Sequence, residues 1–179
     1  MIIGLISDTH IPEAGPLLPK EIYDSFKGVD LILHAGDVHV LEVLDWLETI
    51  APVVSARGNG DYPTRNNSNR PGIPEDPRVK HSQIIRLEGF NVGLIHAFPL
   101  PSEVFWKTAD ELVAMHFDDH VDIIVCGDTH EARIDLYPKL LIANPGSPML
   151  PNQTKGLGTI GFLDINQGNA YPSLLQLTY

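Results

Sequence analysis

The stretch "VDIIVCGDTH", Val121 to His130, decides how this chain folds. An apolar, β-branched run stops abruptly at Gly127 and gives way to Asp128, Thr129 and His130. The run reads as a buried strand. Polar, metal-capable side chains set directly after such a strand cost stability unless something binds them. The same pattern recurs along the chain. "MIIGLIS" opens it and ends in Ser7-Asp8-Thr9-His10. "VDLILHAG" (29–36) runs into Asp37, and "APVVSARGN" (51–59) into Gly60-Asp61. "VGLIH" (92–96) ends on His96.

Helix-like segments separate the first three strands. "PKEIYDSFKG" (19–28) has Pro19 and Gly28 as start and stop signals. "VLEVLDWLETI" (40–50) carries Leu41, Val43, Leu44 and Leu47 on one apolar face. Strand and helix in alternation indicate parallel βαβ units. The stretch from Tyr62 to His81 is rich in Pro, Asn and Arg and reads as a long surface loop. Two short strands, "SQIIRLEG" and "NVGLIHA", follow around a Gly89–Asn91 turn, and "PSEVFWKTADELVAMHF" (101–117) reads as one helix. Short antiparallel strands complete the chain. With no repeat or linker, residues 1–179 are expected to form a single α/β domain.

The formal net charge of −11 argues against extended binding to nucleic-acid backbones, which needs a basic face. It leaves room for a phosphate substrate, because bound metal ions supply positive charge locally. Cys126 is the single cysteine, so no internal disulfide framework exists, and its apolar setting suggests a buried small hydrophobe. "MIIGLI" reads as a strand and not as a signal peptide. No apolar run reaches the roughly 18 residues of a membrane span. A cytoplasmic location without membrane contact is the resulting expectation, with homo-oligomerisation left open.

In open α/β sheets the carboxyl ends of the strands face the binding crevice. Asp8, His10, Asp37, Asn59, His96, Asp128 and His130 are therefore expected to converge. Carboxylate, amide and imidazole together suit Mn, Fe or Zn. Each motif alone is weak: "SDTH" also serves as a strand end with a helix cap, and "GNGD" as a turn. In the order "SDTH", "HAGD", "ARGNGD", "LIHA", "GDTH", "NPGS", the chain resembles the calcineurin-like metallophosphoesterases. It is most similar to their small bacterial and archaeal phosphodiesterase branch, to which the retromer vacuolar-sorting subunit is related. The resemblance covers Met1 to about Ser147.

That resemblance implies two packed β-sheets flanked by helices and a two-metal site at one edge. It implies that Asp8, His10 and His130 hold one divalent ion and that Asp37 bridges both. Asn59, His96 and Asp128 would hold the second, with Mn first in expectation and Ni, Fe, Zn or Mg as alternatives. "NPGS" (Asn144–Ser147) would support the site without ligating. Asp37, Asn59 and His96 carry the implied catalysis, in which a metal-bridging hydroxide attacks the phosphorus of a small phosphate ester, most readily a diester. The family usually has Gly-His-Thr-His where this chain has Gly-Asp-Thr-His, so Asp128 replaces a histidine. Gly60 stands where larger relatives carry an acid histidine after the Asn, and Phe98 follows His96 where a second histidine is common.

Other residues carry two readings. His34 is either a satisfied core histidine or a support for a ligating carboxylate. His39 and Arg57 are candidate substrate contacts; the alternatives are a helix-start residue and a loop anchor. Arg65 and Arg70 belong to the long loop and could reach over the crevice. His81, His116 and His120 are expected at the surface, and Trp46, Phe105 and Trp106 in the core. A non-catalytic or weakly catalytic interaction scaffold of the same fold is the alternative function. Six matching ligands, with another metal-binding type at the seventh position, weigh against it.

Overall fold

The computed structural model describes residues 1–63, 70 and 72–179. In chain order its strands and helices are β1 (Ile2–Ile6), α1 (Lys20–Ser25), β2 (Leu31–His34), α2 (Glu42–Glu48), β3 (Val53–Ala56), β4 (Val79–Lys80), β5 (Ser82–Leu87), β6 (Phe90–Ile95), α3 (Ala109–His116), β7 (Ile123–Val125), β8 (Ala132–Tyr137), β9 (Leu140–Pro145), β10 (Thr159–Asn166) and β11 (Asn169–Gln176). One sheet has the order β11-β10-β1-β2-β3-β4 and the other β5-β6-β7-β9-β8. Strands β1 to β4 run parallel, as do β6, β7 and β9. The hairpins β5–β6, β8–β9 and β10–β11 are antiparallel. This is the expected α/β architecture of two packed sheets.

The two-residue period of the strands builds three apolar layers. Ile3, Leu5 and Leu33 turn inward to meet Leu94, Ile123, Val125 and Ala143 between the sheets. Ile6 and Ile32 turn outward onto Ile22, Phe26, Leu44 and Leu47, under α1 and α2. On the far side Ile124 and Ile142 pack beneath Leu112 and Val113 of α3. Central strands are thus apolar on both faces, which is why "VDIIVC" shows no alternation. Phe26 is fully buried, edge-on to Phe162 at 5.6 Å, over a space that only Gly4 leaves free.

The third helix is shorter than its sequence suggests. It begins after Thr108, whose hydroxyl accepts from the Glu111 N–H at 3.2 Å while the Glu111 carboxylate accepts from the Thr108 N–H at 2.7 Å. That reciprocal cap fixes the start, and residues 101–107 precede it as turns and bends. Phe105 and Trp106 consequently lie outside the core, 83% and 68% exposed and stacked on each other at 5.0 Å, contrary to expectation. Trp46 is half-buried against the outer layer.

The parallel strands of both sheets deliver their carboxyl ends to one edge. Backbone bonds tie those ends together: Asp8 N–H to the Gly36 carbonyl (3.0 Å), His10 N–H to that of Asp37 (3.0 Å), and Gly127 N–H to that of His96 (2.8 Å). The Asp128 N–H crosses between sheets to the Asp8 Oδ2 at 3.1 Å.

Candidate metal centre

Three of the edge loops share one conformation. Asp8-Thr9-His10, Asp37-Val38-His39 and Asp128-Thr129-His130 each place the Asp and the His in the left-handed region, with φ between +49° and +72°. That region costs an ordinary L-residue about 1–2 kcal/mol. Asp, Asn and His are the side chains that enter it most often after glycine.

The loops assemble two overlapping groups of donor atoms. In the first, the Asp8 Oδ1 lies 3.6 Å from the His10 Nε2 and 3.5 Å from the His130 Nε2, and the two ring nitrogens are 3.1 Å apart. In the second, the His96 Nε2 lies 3.1 Å from the Asn59 Oδ1, 3.4 Å from the Asp37 Oδ1 and 3.5 Å from the Asp128 Oδ1. Asp37 reaches both, since its Oδ2 is 3.5 Å from the His10 Nε2. Asp8 also falls within both groups. All seven sequence candidates therefore meet at one edge.

The histidine tautomers suit cation binding. The His96 Nδ1 lies 2.7 Å from the Ala35 carbonyl and the His130 Nδ1 2.9 Å from that of Leu150. A carbonyl only accepts, so each Nδ1 carries the proton and each Nε2 turns a lone pair inward when the ring is neutral. Among the described residues the buried Asp8 Oδ1 has no hydrogen-bond partner. Convergent lone pairs with an orphaned buried carboxylate oxygen are what a divalent cation would satisfy. The residues present fit such ions. Charge tells the same story: burial alone would lower the His96 pKa, yet Asp128, Asp8 and Asp37 raise it to about 9. Burial opposes ionisation of Asp8 too, and is outweighed by His10, His96 and His130, which hold its pKa below the ordinary value.

Residues behind the candidate ligands hold them in place. His34 is fully buried; its Nδ1 accepts from the Gly36 N–H (3.1 Å) and its Nε2 lies 3.1 Å from the Thr9 hydroxyl. Burial drives its pKa down to about 3, so it stays neutral. It is a satisfied core histidine that joins two ligand loops. The "NPGS" turn does similar work: the Asn144 amide donates to the Gly127 carbonyl (2.8 Å), and the Ser147 hydroxyl to that of Asp8 (2.7 Å).

Sequence reasoning passed over Asp61. Its buried carboxylate accepts backbone N–H groups from Asp37 (3.0 Å), Gly58 (2.8 Å) and His39 (2.8 Å), clasping the loops that carry Asp37 and Asn59. Its only signal was the final Asp of "GNGD". Gly58 and Gly60 are required alongside it: a Cβ at Gly58 would collide with the Asp37 carboxylate and amide, and one at Gly60 with the His39 Nε2.

Several expected contacts fall elsewhere. His39 is fully buried, edge-on to His10 at 4.4 Å, and does not face the open crevice. Its left-handed backbone folds the ring back beneath His10. Among the described residues neither ring nitrogen has a hydrogen-bond partner, and burial lowers its pKa to about 4. Arg57 donates to the carbonyls of Ile73 and Pro74, each at 3.0 Å, which makes it a loop anchor. Arg70 pairs with Glu13 at 3.1 Å, and Arg65 lies outside the described residues. His81 and His120 are exposed as expected, whereas His116 is half-buried against Phe98 at 5.4 Å. Cys126 is buried, and burial pushes its thiol up to about 12.

Comparison with known proteins extends these findings. A probable metallophosphoesterase of Methanothermobacter thermautotrophicus is 38% identical over 154 residues, 86% of this chain and 81% of its own. A probable metallophosphoesterase of Methanocaldococcus jannaschii is 36% identical over 153 residues, 84% of this chain and 70% of its own. Among solved structures, vacuolar protein sorting 29 of Entamoeba histolytica complexed with zinc superposes with a TM-score of 0.68 at 20% identity, over 98% of this chain and 99% of that one. An archaeal phosphodiesterase superposes at 0.63 and 20% identity, over 98% of this chain and all of that one. A Thermotoga maritima protein reaches 0.69 at 26% identity, over 98% and 99%. Residues 1–168 match the calcineurin-like phosphoesterase superfamily domain, and with two relatives above 30% identity the chain belongs to that family.

Proposed function

We propose that this chain is a hydrolase of small phosphate esters, preferentially diesters, working with two divalent ions at the strand-end centre. The observation that carries this reading is the pair of overlapping donor groups, with Asp37 reaching both. Asp8, His10 and His130 would hold one ion, Asn59, His96 and Asp128 the other, and Asp37 would join them. Ions bound there would acidify a water and neutralise phosphate oxygens in attack on phosphorus. Manganese leads, and the zinc bound by the structural neighbour keeps zinc in play.

The chain's own residues do the positioning. Asn59 offers a carbonyl oxygen to an ion and an amide N–H to a phosphate oxygen. Ala35 and Leu150 orient His96 and His130 through their carbonyls. Asp61 holds the backbone of the Asp37 and Asn59 loops. Gly60 stands where larger relatives carry an acid histidine and His39 is buried, so neither position supplies a proton to the leaving group. Esters with good leaving groups are therefore the better substrates. The phosphodiesterase name of one neighbour agrees with a diester preference.

The reading also takes the chain as a single cytoplasmic domain; no described helix is long and apolar enough to cross a membrane. The test is hydrolysis of bis(p-nitrophenyl) phosphate and p-nitrophenyl phosphate by metal-stripped protein titrated with Mn, Ni, Zn and Mg. Turnover should require metal, favour the diester and vanish in Asp37→Ala. Absence of turnover in protein that holds two ions would favour the scaffold alternative.

A further inference from the structure

A second cavity opens directly off the candidate metal centre. Its volume is about 270 Å³, and Asn59 and His96 form its wall on the metal side. Arg57, Tyr62, His81, Ile95 and His116 line most of the rest. The Arg57 guanidinium lies over the Tyr62 ring, 5.6 Å from its centroid, and is itself held by the Ile73 and Pro74 carbonyls. An anchored cation that also lines the cavity therefore holds the ring. His116 is fixed in turn by its edge-on contact with Phe98. Burial and the neighbouring His81 lower its pKa, which favours a neutral ring.

The cavity has three properties that select its occupant. It is contiguous with two residues that would hold an ion, so a phosphate bound there directs one ester group into it. It is smaller than the roughly 300–1,000 Å³ of pockets that enclose whole drug-sized ligands, so it takes a substituent and not a substrate. Flat, polarisable groups line it, the Arg57 guanidinium among them, and among the described residues no carboxylate or ammonium does. Tyr62 and two imidazoles offer π-faces and edges that stack planar rings and gain little from a flexible alkyl chain.

We propose that this cavity is a subsite for a planar aromatic ester group of the phosphate substrate, with Tyr62 as its main stacking surface and His116 as the facing wall. The proposal rests on phosphate binding at the metal centre, so the test reads the two separately. Phenylphosphonate and methylphosphonate share the phosphate-like head, carry no ester bond to cleave and differ only in the ring. Their affinities for manganese-loaded protein are measured by calorimetry, alongside turnover of bis(p-nitrophenyl) phosphate. Phenylphosphonate should bind on the order of tenfold more tightly. That ratio should fall toward one in Tyr62→Ala and persist in Tyr62→Phe, which keeps the ring.

Adenosine 5′-monophosphate against ribose 5-phosphate, measured without turnover, tells a nucleobase from a phenolic ring; an advantage in either pair supports an aromatic subsite. Equal affinities within both pairs, while methylphosphonate binds and the diester is hydrolysed, would overturn the subsite and leave the phosphoesterase intact. A phenyl advantage that survives Tyr62→Ala would overturn it as well, by removing the stacking surface from its cause. Failure of every phosphonate to bind, together with no turnover, would overturn the phosphoesterase reading itself and the subsite with it.

Discussion

Asp61→Asn isolates the clasp behind the candidate metal ligands. The Asp61 Oδ2 accepts two N–H groups, from Gly58 and Asp37, and the Oδ1 accepts one from His39. Asparagine has nearly the same shape and one acceptor oxygen. With that oxygen kept on Gly58 and Asp37, the new NH2 faces the His39 N–H, donor against donor. One buried N–H is then left unpaired, at a cost of about 1–3 kcal/mol. The other two bonds change from charge-assisted to neutral, a loss of roughly 1 kcal/mol each.

Removing a buried charge returns part of this, since burial leaves the Asp61 pKa raised despite the N–H bonds it accepts. The expected net loss is about 2–4 kcal/mol. Urea unfolding of chelator-treated protein is the assay, because bound metal would mask the loss. With a slope near 2 kcal/mol/M, the midpoint should fall by about 1–2 M at constant slope. Metal affinity, measured separately by competition, should weaken on the order of 10- to 100-fold, as for other residues that orient ligands from behind. A midpoint within about 0.3 M of the parent, with metal affinity unchanged, would show that the three N–H bonds do not hold the loops.

Asp128→His replaces one of three carboxylates around the proposed ions. Asp8, Asp37 and Asp128 with a hydroxide would balance two divalent cations, so the variant should carry net positive charge, attract phosphate more strongly and shift from Mn or Mg toward Zn or Ni. Metal titration of turnover checks this; unchanged preference and rate would refute it. His96 provides a pH prediction for the metal-free protein. Its pKa, raised to about 9 despite burial, means the folded state holds a proton that the unfolded chain releases near 6.5. The associated stabilisation, on the order of 3 kcal/mol, is complete below pH 6.5 and fades as pH rises to 9. Binding the second ion at pH 7.5 should release about one proton, visible as a calorimetric enthalpy that tracks the buffer's ionisation enthalpy.

The strand ends were legible because their signals are local. An apolar run followed at once by Asp, His or Asn needs no knowledge of the rest of the chain, and all seven ligand candidates were found that way. Asp61 was not legible, since its role exists only through N–H groups supplied by residues up to 24 positions away. His39 was misplaced because sequence spacing does not show a left-handed backbone turning a ring inward. Phe105 and Trp106 were assigned to the core by residue type. The Thr108–Glu111 cap starts the helix after them and leaves them outside, and it was present in the sequence to be read.

The left-handed loops bear on how such a centre changes over evolution. At Asp8, His10, Asp37, Asp128 and His130 the backbone admits few residue types besides glycine, and Asp, Asn and His head that short list. Conformation and coordination thus select the same side chains, and a descendant that stopped binding metal would stay under pressure to keep them. Asn59 and His96 have no such constraint, because neither is among the left-handed residues. Under the proposed function, their identities answer to a cation without that conformational demand. Drift away from metal binding would surface there first, and these two positions separate an active lineage from a retired one.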